Sequence, residues 1–139
     1  MRKQPGRSGH PGQPSPPEAE AMRYAVAGDL GAVRSFVADR AVALGLSPER
    51  AALLTVAISE LTTNTLQHTS GGGQVRVWAD GDQLVCDVVD QGPLRTFGRE
   101  MPAPDAVRGR GLAIVERICD DVAVLAVSGG TLVRVRLDL

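Results

Sequence analysis

Two stretches of the chain carry apolar residues at the spacing of an amphipathic helix. In the first, they recur three or four positions apart between Asp29, a candidate N-cap, and Gly45, a residue that favours a helix end. The second opens with Ser47, Pro48 and Glu49, which suit an N-cap, an N1 proline and a first-turn acid. The pattern therefore predicts one helix over residues 30–44 and another from 48 to about 68.

The rest of the pattern predicts strands and one further helix. Segments rich in alternating β-formers flank two turns and predict two hairpins, 74–78 with 84–89 and 122–127 with 131–137. Residues 23–27 alternate in the same way and predict an edge strand, and Gly111 to about Cys119 has a helical period. The order β-α-α-β-β-loop-α-β-β favours an α/β (α+β) two-layer sandwich, with three helices on one face of a mainly antiparallel mixed sheet.

Two segments show neither helical nor strand periodicity in their apolar residues. Residues 1–20 contain five prolines and three glycines, so they have little to bury and predict a disordered tail before a globular domain over 21–139. Residues 90–108 are also rich in proline and glycine. A loop of that length inside a compact domain is generally a functional lid.

Composition narrows the class of protein. Hydrophobic residues make up 43% of the chain and aromatic residues 3%, while the formal net charge is −1. This balance gives no electrostatic reason to expect nucleic acid or an anionic membrane as a partner. There is neither an apolar run near the roughly 18 residues that span a bilayer nor a secretory signal. Cys86 and Cys119 lie in apolar segments, as core thiols do in a reducing cytosol, so a cytoplasmic protein is expected.

Glu60 and Asn64 interrupt the second predicted helix. They lie one turn apart, in what should be the middle of an apolar face that includes Leu53, Ala57 and Leu61. A buried carboxylate without a partner costs several kcal/mol. An amide oxygen and a carboxylate suit a hydrated magnesium ion held chiefly by substrate phosphates. A solvated or capping pair is the simpler interpretation of the motif alone.

Two further motifs carry candidate chemistry. Asp90 ends a predicted strand and is followed by Gly92, so its carboxylate could accept a hydrogen bond from an exocyclic amine while the glycine lets a ring approach the backbone. The second motif, at the start of the third helix, offers amide groups and positive charge to an anion; its residues are Arg108, Gly109, Arg110, Gly111 and Leu112. Singly, these motifs are equally compatible with a strand-ending turn and a flexible hinge.

In this order, the three motifs and the lid resemble the ATP-binding fold of the GHKL (Bergerat-type) superfamily, shared by sensor histidine kinases, DNA gyrase B, Hsp90 and MutL. The resemblance extends from Met22 to Leu139. Within that superfamily the segment from Glu60 to Thr69 is most similar to bacterial anti-sigma factor serine kinases of the RsbW and SpoIIAB type, including their small actinobacterial relatives.

The resemblance implies roles for single residues. Asn64 would hold Mg²⁺ between the ATP phosphates, and Glu60 would act as the general base that orients water or a serine hydroxyl. Asp90 would bind adenine, with Gly92 beneath the ring. Thr131 would support the Asp90 carboxylate and the adenine through hydrogen bonds. The second glycine box, with Gly109 and Gly111 at its centre, would meet the phosphates as the lid closes.

The resemblance also implies a function. The implied protein is an ATP-dependent serine/threonine kinase that phosphorylates a STAS-domain anti-sigma antagonist, sequesters a sigma factor, or does both, and the same resemblance implies a homodimer. The alternative is a nucleotide-gated binding module without turnover. In the family the first glycine box, which begins at the aspartate, often reads D-x-G-x-G, whereas residues 90–94 here lack the second glycine. Pro93 also stiffens the start of the lid, so efficient turnover is less assured than ATP binding. An ATPase clamp would require a transducer domain after the last strand.

Overall fold

The computed structural model describes residues 15–68, 72–90, 111–127 and 130–139. Three helices are described, α1 (Leu30–Leu44), α2 (Pro48–His68) and α3 (Gly111–Ile118). The strands are β1 (Glu20–Tyr24), β2 (Gly73–Asp80), β3 (Gln83–Asp90), β4 (Asp121–Val127) and β5 (Gly130–Asp138). The helix bounds predicted from the apolar period are thus confirmed to within a residue, and the four hairpin strands extend slightly beyond their predicted ends.

The five strands form one sheet in the order β1-β2-β3-β5-β4, and every pairing in it is antiparallel. The predicted edge strand is confirmed at one edge, but it spans 20–24 rather than 23–27. The chain leaves the sheet earlier because Ala27–Asp29 form a 3-10 turn. Within it, the Asp29 carboxylate accepts hydrogen bonds from the amides of Ala25 and Val26, so Asp29 caps this turn through its side chain rather than α1.

The helices cover one face of the sheet, here called the inner face, and the core lies between the two layers. The α2 helix starts as predicted, since the Arg50 amide donates to the Ser47 hydroxyl oxygen at 3.2 Å. The α1 helix ends at Gly45, whose φ of 116° is one that glycine adopts without strain. This confirms the α+β two-layer sandwich.

The buried stripe of α2 differs from the predicted one. Leu54, Ile58 and Leu61 are buried, whereas Leu53 is 50% exposed. Glu60 and Asn64 are half-buried, so the expectation that they occupy the middle of the apolar face is wrong. At about 100° per residue, the buried stripe of α2 runs through Leu54, Ile58 and Leu61. Glu60 and Asn64 lie at the margin of that stripe. The pair is therefore partly accessible to solvent from α2.

The opposite, outer face of the sheet holds a charged pair that the sequence pattern did not predict. Asp87 and Arg134 are 0% and 2% exposed, and two hydrogen bonds of 2.7 and 2.8 Å join them. The Arg134 guanidinium lies over the Trp78 ring, 5.2 Å from its centre. The Ser15 hydroxyl donates to Asp87 at 2.9 Å. Residues just before β1 therefore contact the outer face; the predicted tail over residues 1–20 otherwise falls largely outside the described residues.

Candidate functional site

The site is built on one row of residues at the end of the sheet. In the strand register Tyr24 pairs with Gly73, and Gly73 pairs with Asp90. Residues paired across antiparallel strands project to the same face. This row continues the inner-face positions that hold Val75 and Val88, so the Asp90 side chain lies on the side of the sheet covered by the helices.

Gly130 determines how closely the last strand approaches Asp90. A Cβ added at Gly130 would stand 2.9 Å from the Asp90 Cβ and 3.0 Å from its carbonyl oxygen. Such distances are too short for a side chain, so glycine is required here for the strands to meet. Val89 pairs with Leu132, and Asp90 and Thr131 are the next residues on the two strands. The ends of β3 and β5 that carry these two predicted site residues are therefore neighbours.

The C-terminal half of α2 lies over the same end of the sheet. The Thr65 hydroxyl is near Tyr24, close enough to affect its pKa, and it donates to the Leu61 carbonyl oxygen at 3.0 Å. Asn64 immediately precedes Thr65, and Glu60 is one turn earlier. Both are half-buried. The acid and the amide of the helix are therefore on the margin of the layer that faces Asp90.

The end of α3 lies beside the start of α2. Arg50, in the first turn of α2, forms a 3.2 Å ion pair with Asp120, just after the end of α3, and α3 packs against α2. The amides at the start of α3, from Gly111, carry the partial positive charge of a helix N-terminus.

Several predicted site residues lie outside the described part of the chain. These are Gly92, Arg108, Gly109 and Arg110, together with most of the predicted lid. Gly111 and Leu112 are described as the first residues of α3, without their side-chain environment. The roles of all six remain predictions.

Tyr24 is a member of the site that the sequence pattern missed. Its side chain is 2% exposed. Burial raises the pKa of Tyr24 to about 12; the Thr65 hydroxyl lowers it somewhat, and the Asp90 carboxylate raises it. Among the described residues, however, no atom meets hydrogen-bond geometry with the Tyr24 hydroxyl. The Thr65 hydroxyl is therefore a close neighbour of the Tyr24 hydroxyl but not its acceptor.

The signal for Tyr24 was weak in the sequence. It is the only tyrosine of the chain, and it ends a strand that was predicted three residues too late. Only the register, which pairs Tyr24 with Gly73, places it beside Asp90. Long-range strand pairing is not encoded in local periodicity, so sequence alone did not identify this neighbour.

The five-stranded antiparallel sheet, covered on one face by three helices, defines the fold class of the domain. The model of the histidine kinase-like ATPase domain matches residues 24–137, and the chain belongs to that family. The resemblance to the GHKL superfamily is thereby confirmed. No curated protein matched the chain.

A solved structure supports the same fold. The chain is similar to the crystal structure of the RsbU and RsbW domains of Rv1364c from Mycobacterium tuberculosis, with 21% sequence identity and a TM-score of 0.66. The match covers 90% of this chain and 33% of that one, so the chain spans about a third of the length of its structural relative. None of the helices in the described ranges combines the length and the apolar character needed to cross a membrane.

Proposed function

We propose that the chain binds Mg-ATP between α2 and the Asp90 end of the sheet and acts as an anti-sigma-type regulator in the cytoplasm. In this proposal it transfers a phosphoryl group to a serine or threonine of a STAS-domain antagonist, sequesters a sigma factor, or does both. Family membership supports the nucleotide. The relative whose name includes an RsbW domain supports the anti-sigma role.

The observation that carries the proposal is the close approach of Gly130 to Asp90, which brings together the ends of β3 and β5 that carry Asp90 and Thr131. A carboxylate near a hydroxyl suits the exocyclic amine of adenine. The half-buried Asn64, on the helix that covers this end of the sheet, suits the metal, and the amides at the start of α3 would suit the phosphates. Asp90, Thr131 and Asn64 come from separate parts of the chain, and a shared ligand accounts for their presence at one end of the sheet.

The proposed chemistry assigns one task to each side chain. Asn64 would hold Mg²⁺, which supplies neutralising charge to the phosphates when it is bound. Glu60 would accept the proton of the substrate hydroxyl as the hydroxyl oxygen forms a bond to the γ-phosphorus. The bond from that phosphorus to the β–γ bridging oxygen breaks, and ADP leaves. The glycine box, including Gly109 and Gly111, would donate amide hydrogen bonds to the phosphates.

The second candidate function is a binding module that responds to nucleotide without turnover. Pro93, in the predicted lid, is the observation that favours it, because proline removes one backbone pivot from the segment that must close. Both candidates share the nucleotide site and differ only in the transfer step.

The decisive experiment incubates the protein with γ-labelled Mg-ATP and a STAS-domain antagonist encoded beside it. Label on a serine or threonine of the antagonist is expected. Glu60→Ala should abolish transfer while keeping nucleotide affinity, and Glu49→Ala, an exposed acid in the first turn of the same helix, is the matched control that should transfer normally. Nucleotide binding without transfer would favour the module, and wild-type transfer by Glu60→Ala would refute the role of that carboxylate.

A further inference from the structure

The Tyr24 hydroxyl is a buried polar group in an unusual position. Within the described part of the chain it has no hydrogen-bond partner, although the side chain is 2% exposed. A buried hydroxyl left unpaired is costly, and most such groups are paired with protein or with an ordered water. This hydroxyl is therefore a candidate to bind an atom that lies outside the described part of the chain.

The position of this hydroxyl relative to Asp90 follows from the register. A Cβ placed on Gly73 would lie 2.6 Å from the Tyr24 hydroxyl oxygen, so the hydroxyl occupies the space above Gly73 where a side chain would otherwise stand. Gly73 is directly paired with Asp90. Side chains of paired residues begin about 5 Å apart. The hydroxyl and the carboxylate are therefore separated by roughly one strand spacing, enough to admit one polar atom between them.

The chemistry of the two groups is complementary. A carboxylate only accepts hydrogen bonds, whereas a protonated phenol also donates. The pKa of Tyr24, raised to about 12 by burial, keeps the phenol protonated at neutral pH. Adenine presents an amine donor beside acceptor ring nitrogens, and guanine has a carbonyl acceptor where adenine has the amine. With the base held in one orientation, an acceptor facing the position 6 substituent and a donor facing the adjacent ring nitrogen match adenine and mismatch guanine, in which both groups are reversed.

We infer that Tyr24 is a specificity-determining residue of the nucleotide site: its hydroxyl donates to a ring nitrogen of adenine, directly or through one ordered water, beside the amine that Asp90 accepts. This inference rests on the proposed nucleotide site. It gives the buried hydroxyl, which has no partner among the described residues, a partner in the bound ligand.

The test uses Tyr24→Phe and two measurements. If the hydroxyl serves only the nucleotide, its removal leaves the thermal midpoint of the ligand-free protein unchanged or raised, because an unpaired buried group is lost. Calorimetry should show affinity for Mg-ATP weakened about fivefold to tenfold, the effect of one neutral hydrogen bond. The preference for ATP over GTP should fall by a similar factor. Fluorescence of Trp78, which lies on the outer face, monitors that the fold is intact.

A spectroscopic readout complements the variant. Tyr24 is the only tyrosine, so protein labelled with [ζ-¹³C]tyrosine gives a single signal, which should move when Mg-ATP is added. If ATP binds but the signal stays and Tyr24→Phe binds ATP and GTP as the wild type does, the inference is overturned while the nucleotide site stands. A Tyr24→Phe variant that unfolds earlier yet keeps full affinity would also overturn it, by showing a purely structural hydroxyl. Absence of any nucleotide binding to the wild type would instead refute the proposed function.

Discussion

At the scale of single residues, Gly130 links the fold to the candidate site. We expect Gly130→Ala to displace Asp90, because the new methyl group would stand 2.9 Å from the Asp90 Cβ. Overpacking of this kind costs about 1–3 kcal/mol of unfolding free energy, and Mg-ATP affinity should fall with it. Urea denaturation and calorimetry measure the two effects.

The matched control is Gly28→Ala, where an added Cβ meets nothing within 4 Å. Its unfolding free energy should stay within about 0.5 kcal/mol of the wild type. Equal effects of the two substitutions would show that the approach of Gly130 to Asp90 has no special importance.

Three buried acids determine the response to alkaline pH. Burial raises the pKa of the Cys119 thiol from 9.0 to about 12 and that of Tyr24 from 10.0 to about 12, and it raises the pKa of Cys86 as well. The folded state then holds these protons more tightly than the unfolded state does. Their contribution is complete below pH 9 and is lost as the pH rises from 9 to 12.

We therefore expect the unfolding free energy to fall steadily over that interval. Urea denaturation at successive pH values measures it, and Tyr24→Phe should remove only the share of the decline above pH 10 that is due to Tyr24, while the two thiols account for the rest. A free energy that does not change between pH 9 and pH 11 would contradict the burial of these groups.

At the scale of elements, the start of α2 depends on one cap. The Arg50 amide donates to the Ser47 hydroxyl oxygen at 3.2 Å, so Ser47→Ala should lower the unfolding free energy by about 0.5–2 kcal/mol. Ser35→Ala, on the exposed surface of α1, is the matched control and should be neutral or slightly stabilising, because alanine is the better helix former. A neutral Ser47→Ala would refute the cap.

The elements were the part of the fold most fully encoded in local sequence. The bounds of α1 and α2 followed from apolar period, the Ser47-Pro48 start and the Gly45 end, all of which act within a few residues. The edge strand was predicted at 23–27 because alternation continues past Tyr24, whereas Asp29 binds the amides of Ala25 and Val26 and folds that stretch into a turn. The prediction that Leu53 faces the core was wrong for a similar reason. Its burial depends on which stripe of α2 the sheet and α1 cover, and that is not encoded in the local sequence.

At the scale of the whole molecule, the largest feature that the sequence did not predict is the Asp87–Arg134 pair. The two residues are far apart in sequence, and only the pairing of β3 with β5 brings them together. The candidate site likewise combines residues that local motifs predict with residues that only strand pairing brings into place. Glu60, Asn64 and Asp90 were found through local motifs, while the contributions of Tyr24, Gly73 and Gly130 depend on register.

Breaking the Asp87–Arg134 pair by removing one of the two side chains should strongly lower the unfolding free energy. Asp87→Ala would leave the buried guanidinium of Arg134 without its partner and should cost about 3–5 kcal/mol of unfolding free energy. Asp80→Ala breaks the more exposed 3.2 Å pair with Arg136 and should cost no more than about 1 kcal/mol. Chemical denaturation compares them, and a mild Asp87→Ala would mean that the outer face is more accessible to water than the structure shows.

The most direct test of the central claim is a calorimetric titration of the protein with ATP in the presence of magnesium. The account predicts saturable heat from one site per chain, and Asp90→Asn should weaken binding at least about tenfold, because the neutral amide oxygen is a weaker acceptor than a carboxylate and the other oxygen is replaced by a donor. Absence of heat from any adenine nucleotide, or equal affinity in Asp90→Asn, would contradict the assignment of this end of the sheet as the nucleotide site.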